Sequence, residues 1–168
     1  MNGRIKPMLG GIRNFLWVGT LNLPSFEDGR EHRPWQAAEH RIAWRELDLR
    51  NRVRLDQRFF DDDGGAVLRF RQRLRGRHFI AGSQWYGGVS NEVFVNLDDR
   101  GEGPVSGFEQ NRLRFAVGGP LHRRLRVESG YEWQYVERRS NEPQHRHVFF
   151  VEFSIDTGGL PVFPWSPR

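Results

Sequence analysis

The feature that most constrains this chain is a period of two that sorts charge. From Leu49 to Phe60, Leu49, Asn51, Val53, Leu55, Gln57 and Phe59 form one stripe, and Arg50, Arg52, Arg54, Asp56 and Arg58 form the other. Side chains on a strand point alternately to opposite faces, so one face here is uncharged and the other almost wholly charged. The pattern recurs at Leu68–Arg75, where Arg69, Arg71, Arg73 and Arg75 oppose Leu68, Phe70, Gln72 and Leu74. It recurs again at Asn111–Val117, with Arg112 and Arg114 on the charged side, and at Arg124–Trp133, with Arg124, Arg126, Glu128 and Glu132. The uncharged stripes of these segments carry no charge at all. A helical period would not separate the residues this way, so the chain reads as all-β.

Four further strands are expected at Ile12–Leu23, Trp35–Glu46, Phe79–Asn96 and Arg146–Asp156, making eight in all. Most are about 9–12 residues long, the length that crosses a bilayer at a tilt. The connections alternate. Leu47–Asp48, Gly76–Arg77 and Gly119–Leu121 read as short turns, and Pro24–Pro34, Asp61–Ala66, Leu97–Gly107 and Val136–His145 as longer loops. Gly, Pro, Asp and Asn fill them, as turn chemistry requires. Both termini fall on the short-turn side, an arrangement that matches an outer-membrane barrel with both ends in the periplasm.

Composition decides which face points where. The 168 residues suit one domain, read as a single β-barrel with strands over about residues 12–156 and a Pro-rich tail at 157–168. Only 37% of residues are hydrophobic and the mean hydropathy is −0.71, yet 13% are aromatic, too many for a disordered chain. A transmembrane barrel has this profile because only every second residue meets lipid. No run of 18 apolar residues offers a transmembrane helix. The N-terminal MNGRIKPMLGGIRNFLWVG lacks the apolar stretch of a signal peptide. There are no cysteines, which removes disulfide scaffolds and thiolate sites.

The reading is therefore an antiparallel up-and-down transmembrane β-barrel, or part of one, with an apolar outside and an arginine-lined inside. The uncharged stripes are assigned Trp17, Phe59, Phe70, Trp85, Phe115, Tyr131, Trp133, Tyr135 and Phe149, several near strand ends where aromatic girdles sit. The expected lumen-facing residues are Arg52, Arg54, Arg58, Arg69, Arg71, Arg73, Glu92, Asn96, Gln110, Arg112, Arg114, Arg126, Glu128, Glu132 and Gln134. Glu39, Asp56, Glu92, Glu128, Glu132 and Glu152 are the candidate carboxylates to pair with this arginine, which is tolerable inside only if paired or hydrated. Lys6 is the sole lysine among 26 basic residues and the net charge is +5, so arginine remains in excess and small anionic solutes are candidate partners.

Several segments together resemble a bacterial family, the domain-of-unknown-function family numbered 2490. They are REHRPWQ at 30–36, RNRVRLDQRF at 50–59, LRFRQRLR at 68–75, NEVFVN at 91–96, FEQNRLRFAVG at 108–118 and ESGYEWQ at 128–134, with His147 before the end. The resemblance implies a Gram-negative outer-membrane β-barrel, hence outer-membrane lipids and the barrel-assembly machinery as partners, and it implies no chemistry. It also implies that the chain lacks an N-terminal part with a signal peptide and further strands. A barrel short of strands would leave an exposed sheet edge. Family members end soon after the last strand, often on an aromatic residue, a role that Phe163 or Trp165 would have to fill here.

No motif points to a reaction, a cofactor or a metal. His145 and His147 share a face but lack further ligands and read as a polar pair at a loop end. Ser129 and Ser154 have no base and acid in register for hydrolysis. Phe108–Arg112 (FEQNR) reads as a hydrogen-bonded knot that sets register, with a lumen constriction as the functional alternative, and Glu92 as an internal ion-pair partner. Asp61–Asp63 lacks calcium-loop spacing, and Gly101–Gly107 lacks a phosphate-loop fingerprint. The leading function is a structural or small-solute channel barrel, porin-like in type. A soluble basic sheet that binds nucleic acid is the alternative (the pI is 10.6), although most aromatics are assigned to the face opposite arginine. A lipid-modifying barrel enzyme is third.

Overall fold

A computed structural model describes residues 11–24, 30–60, 66–99, 105–138 and 142–155. The described residues contain eight strands and no helix: β1 (Gly11–Pro24), β2 (Arg30–Trp44), β3 (Leu47–Phe60), β4 (Ala66–Phe79), β5 (Tyr86–Asn96), β6 (Gly107–Pro120), β7 (Leu125–Val136) and β8 (Gln144–Ile155). Each pairs antiparallel with its neighbours in sequence, so the sheet is an up-and-down meander in chain order. The sheet is open. Among the described residues β1 pairs only with β2 and β8 only with β7, leaving one edge of each unpaired.

Three turns depart from the sequence reading. The β2–β3 turn lies at Arg45–Glu46 and not at Leu47–Asp48, which belong to β3. Arg45 takes a positive φ of 50°, and its guanidinium lies 5.1 Å from the Trp44 ring. The expected turn at Gly76–Arg77 is strand, because Gly76 is paired on both sides, with Leu49 and Val89. β4 runs on to Phe79, so Phe79–Asn96 is not one strand; a turn at 80–85 separates β4 from β5, with Gly82 at φ 73°. Likewise β6 continues through Gly119 to Pro120, and the turn follows at 121–124. β2 begins at Arg30, so Pro34 lies within a strand and the first loop is shorter than expected. The contrast between short and long connections is correspondingly weaker, since the turn at 80–85 takes six residues where a two-residue turn is expected. Asp61–Asp63, the N-terminal ten residues and the tail at 157–168 lie outside the described residues.

An eight-stranded single sheet has no second layer, yet its two faces differ sharply in exposure. On the uncharged face Leu16 and Phe149 are 78% and 83% exposed. On the charged face Asp56 and Val67 are fully buried, as nearly are Asp48, Ala37 and Phe94. Every buried residue except Gly119 belongs to the charged face by register. Curling of the sheet around that face, beneath its long arginine side chains, accounts for such a difference. Contacts that skip strands agree. Arg75 of β4 reaches Glu128 of β7, although strands three apart on a flat sheet stand roughly 14 Å from one another. The charged face is thus concave and the apolar face convex.

Candidate functional site

The concave face is built in rows set by register. One row runs Phe15, Glu39, Arg52, Arg73, Glu92, Arg112, Gln134 and Arg146 across all eight strands. The rows beside it carry Arg54, Arg71, Phe94 and Gln110 on one side, and Arg50, Arg75, Arg114 and Glu132 on the other. All fifteen residues expected to face the interior share this face: Arg58 opposite Val67, Arg69 opposite Asn96, and Glu128 and Arg126 at the far end of β7 complete the set.

Ion pairs cover much of it. Asp48 holds Arg41 at 2.8 Å and Arg50 at 3.2 Å. Asp56 holds Arg54 at 2.5 Å and stands 3.7 Å from Arg71, whose other nitrogen meets Glu92 at 2.9 Å. Glu92 is therefore the internal partner expected of it. Glu128 is the hub of the β4–β7 side: it pairs with Arg75, lies 3.6 Å from Arg77 and 3.7 Å from Arg114, and accepts a hydrogen bond from the Tyr86 hydroxyl. Arg114 also reaches Glu132 at 3.0 Å and Glu152 at 3.9 Å. Every carboxylate named from the sequence lies within ion-pair distance of an arginine on this face, Glu39 meeting Arg50 at 3.8 Å.

Asp48 and Glu109 were not among those carboxylates. Asp48 reads as a turn residue and is strand. Glu109 is brought inward by a register shift between Phe94 and Val95: Phe94 stands opposite Gln110 and Val95 opposite Phe108, so Glu109 is an extra residue. A bulge of this kind re-aims side chains. Glu109 pairs with Arg69, while Phe108 turns to the convex face against Tyr135. FEQNR is thus hydrogen-bonded beside a register shift, with Arg112 bound to Gln110 and Gln110 to Gln134.

Trp17 is a correction. By register it stands opposite Ala37 on the charged face, 5.3 Å from the Arg52 guanidinium. Trp35 lies on the same face with Arg54 at 4.5 Å, Phe94 lies between Arg71 and Arg112, and Phe150 carries Arg114 at 3.9 Å. Arginine and aromatics therefore share the concave face, because β1 and the ends of β2, β5 and β8 lack the charge alternation that labels the other strands. Guanidiniums stacked on rings keep their forks oriented while losing little hydration.

Glycine makes room for one such ring. A Cβ on Gly118 would lie 2.6 Å from the Tyr86 hydroxyl. Gly118→Ala is expected to displace Tyr86 from Glu128 and cost about 1–3 kcal/mol, an overpacking penalty read by denaturant unfolding in micelles. Gly87→Ala, which would meet nothing within 4 Å, is the neutral comparison.

On the convex face, Tyr131, Trp133, Tyr135, Phe149, His145 and His147 form one aromatic patch. His145 and His147 are the second and fourth residues of β8, the latter against the Tyr131 hydroxyl at 2.5 Å. Three pairs of polar side chains on this face are joined across strands: His40 donates to Asn14 at 2.7 Å, Gln72 to Asn51 at 3.4 Å and Asn91 to Asn111 at 3.0 Å. Ser129 and Ser154 lie on opposite faces. No cluster of metal-ligating side chains occurs among the described residues.

A family model described as a protein of unknown function (DUF2490) matches residues 11–145. No curated protein and no solved structure matches the chain.

Proposed function

Since the chain belongs to the DUF2490 family of proteins of unknown function, membership supplies no chemistry, and from the two faces of the sheet we propose an outer-membrane β-barrel protein with an arginine-rich polar interior and a structural or small-solute role. One observation carries the reading: the sheet curls around its charged side and leaves its apolar side outside. Large exposed side chains such as Ile12, Leu16, Val18, Leu74, Phe115 and Val151 cover that outside. Water disfavours an apolar surface of this extent, and lipid favours it. The paired polar side chains on the same face fit a medium that offers no hydrogen bonds. Conduction would require strands beyond these eight, since a closed eight-stranded barrel is filled by its own side chains.

Lipid contact can be read directly. In vesicles with brominated acyl chains, the emission of Trp44 and Trp133 on the convex face is expected to be quenched. That of Trp17 and Trp35 on the concave face is expected to persist. Trp→Phe variants at each position assign the signals. Release of the chain from vesicles by alkaline carbonate, or equal quenching of all four, would rule the reading out.

The sharing of the concave face by Trp17, Trp35, Phe94 and Phe150 with arginine lends some weight to nucleic-acid binding, where bases stack on rings beside basic groups. Here the rings are taken up by the chain's own guanidiniums. Salt-dependent binding of a single-stranded oligonucleotide would favour that alternative.

A further inference from the structure

Three arginine pairs stand directly opposite one another across β3 and β4: Arg50 with Arg75, Arg52 with Arg73, and Arg54 with Arg71. Like charges opposed across an antiparallel pair repel. The outer two pairs are answered. Asp48 and Glu39 face Arg50 and Glu128 takes Arg75, while Asp56 lies between Arg54 and Arg71 and Glu92 takes Arg71 as well.

The middle pair has Glu39 and Glu92 nearby but, among the described residues, no carboxylate within ion-pair distance. Glu39 stands opposite Arg52 in register, but within ion-pair distance its carboxylate meets Arg50. Glu92 stands opposite Arg73, but its carboxylate meets Arg71. No described carboxylate pairs with Arg52 or Arg73. Arg52 is instead held by rings, 5.3 Å from Trp17 and 5.8 Å from Trp35, and its Nε is buried without an acceptor. Across Glu92 in the same row, Arg112 also has a buried Nε without an acceptor, as do Arg71 and Arg77 in other rows.

We propose that Arg52 and Arg73 form an oxyanion site on the concave face that takes the phosphate group of a small solute. The two arginines stand opposite one another in register, guanidinium forks match oxyanions, and stacking on Trp17 and Trp35 orients one of them. A phosphate carries about −1.5 to −2 charge at neutral pH, which answers two arginines at once. The site needs only the concave charged face and does not depend on what covers the convex one, so it stands or falls separately from the membrane reading.

The test uses the full chain folded in a detergent without phosphate, titrated with inorganic phosphate by calorimetry and thermal unfolding. Phosphate is expected to bind and to raise the unfolding midpoint. Arg73→Gln is expected to weaken binding roughly tenfold and abolish the phosphate-dependent rise. Without phosphate, Arg73→Gln should unfold no earlier than the wild type, because the substitution removes a buried charge that has no ion-pair partner. Arg146→Gln, in β8 at the far end of the same row, should bind as the wild type does. If Arg73→Gln does not fold, Arg73→Lys keeps the charge, loses the fork and should bind with intermediate affinity. Parallel titrations with glycerol 3-phosphate and short-chain phosphatidic acid separate a free solute from a lipid headgroup as the source, and binding of either supports the site. No phosphate binding, or equal loss in Arg73→Gln and Arg146→Gln, overturns it.

Discussion

Glu128→Ala is expected to destabilise the folded sheet by about 3–5 kcal/mol, the range for removing one partner of a buried ion pair. Glu128 is 8% exposed and joins groups from three strands: Arg75 and Arg77 of β4, Arg114 of β6 and the Tyr86 hydroxyl of β5. Its loss leaves Arg75, Arg77 and the Tyr86 hydroxyl without their carboxylate, while Arg114 keeps Glu132 and Glu152. Equilibrium urea unfolding in micelles measures the effect. Glu137→Ala, whose carboxylate meets only the exposed Tyr135 hydroxyl, should stay within about 0.5 kcal/mol. A Glu128→Ala cost below about 1 kcal/mol would mean that water, and not this carboxylate, solvates the arginines.

The second large effect sits on the opposite face. Leu74 lies in β4, in the middle of the sheet, and is 53% exposed. On a soluble protein, Leu74→Arg at so open a position would change stability by about 0.5 kcal/mol or less. Facing lipid near the middle of a bilayer, it should cost about 2–4 kcal/mol. Folding in thin and thick bilayers gives an internal check, because the penalty falls as the substituted position nears an interface. A neutral Leu74→Arg in both would argue that water covers the convex face.

Much of the fold was legible because arginine labels it. In β3 and β4 nearly every second residue is charged, and the charges of β7 and most of those of β6 keep to one parity, so face assignment follows from counting, and all fifteen expected interior residues fall on one face. Where charge is sparse the reading slips. Trp17 was placed outside because β1 has few charges to mark its inner side. Gly76 reads as a breaker although it sits paired between Leu49 and Val89, and Arg45–Glu46 turns without any of the usual turn residues. Glu109 could not have been found by alternation, because the irregularity at Phe94/Val95 changes the parity of β6 below it. The pairing of each carboxylate depends on curvature, which no local pattern encodes.

That curvature has a consequence for assembly. The contacts that bend the sheet join strands two and three apart, Arg69 to Glu109 and Arg75 to Glu128, and none of them requires β1 to meet β8. The wall is an arc before any seam is made. Strands added at either edge would extend a radius already set by the reach of arginine side chains. On the proposed membrane reading, a chain entering lipid as such an arc would bring many of its arginines, though not Arg52 and Arg73, already matched to carboxylates.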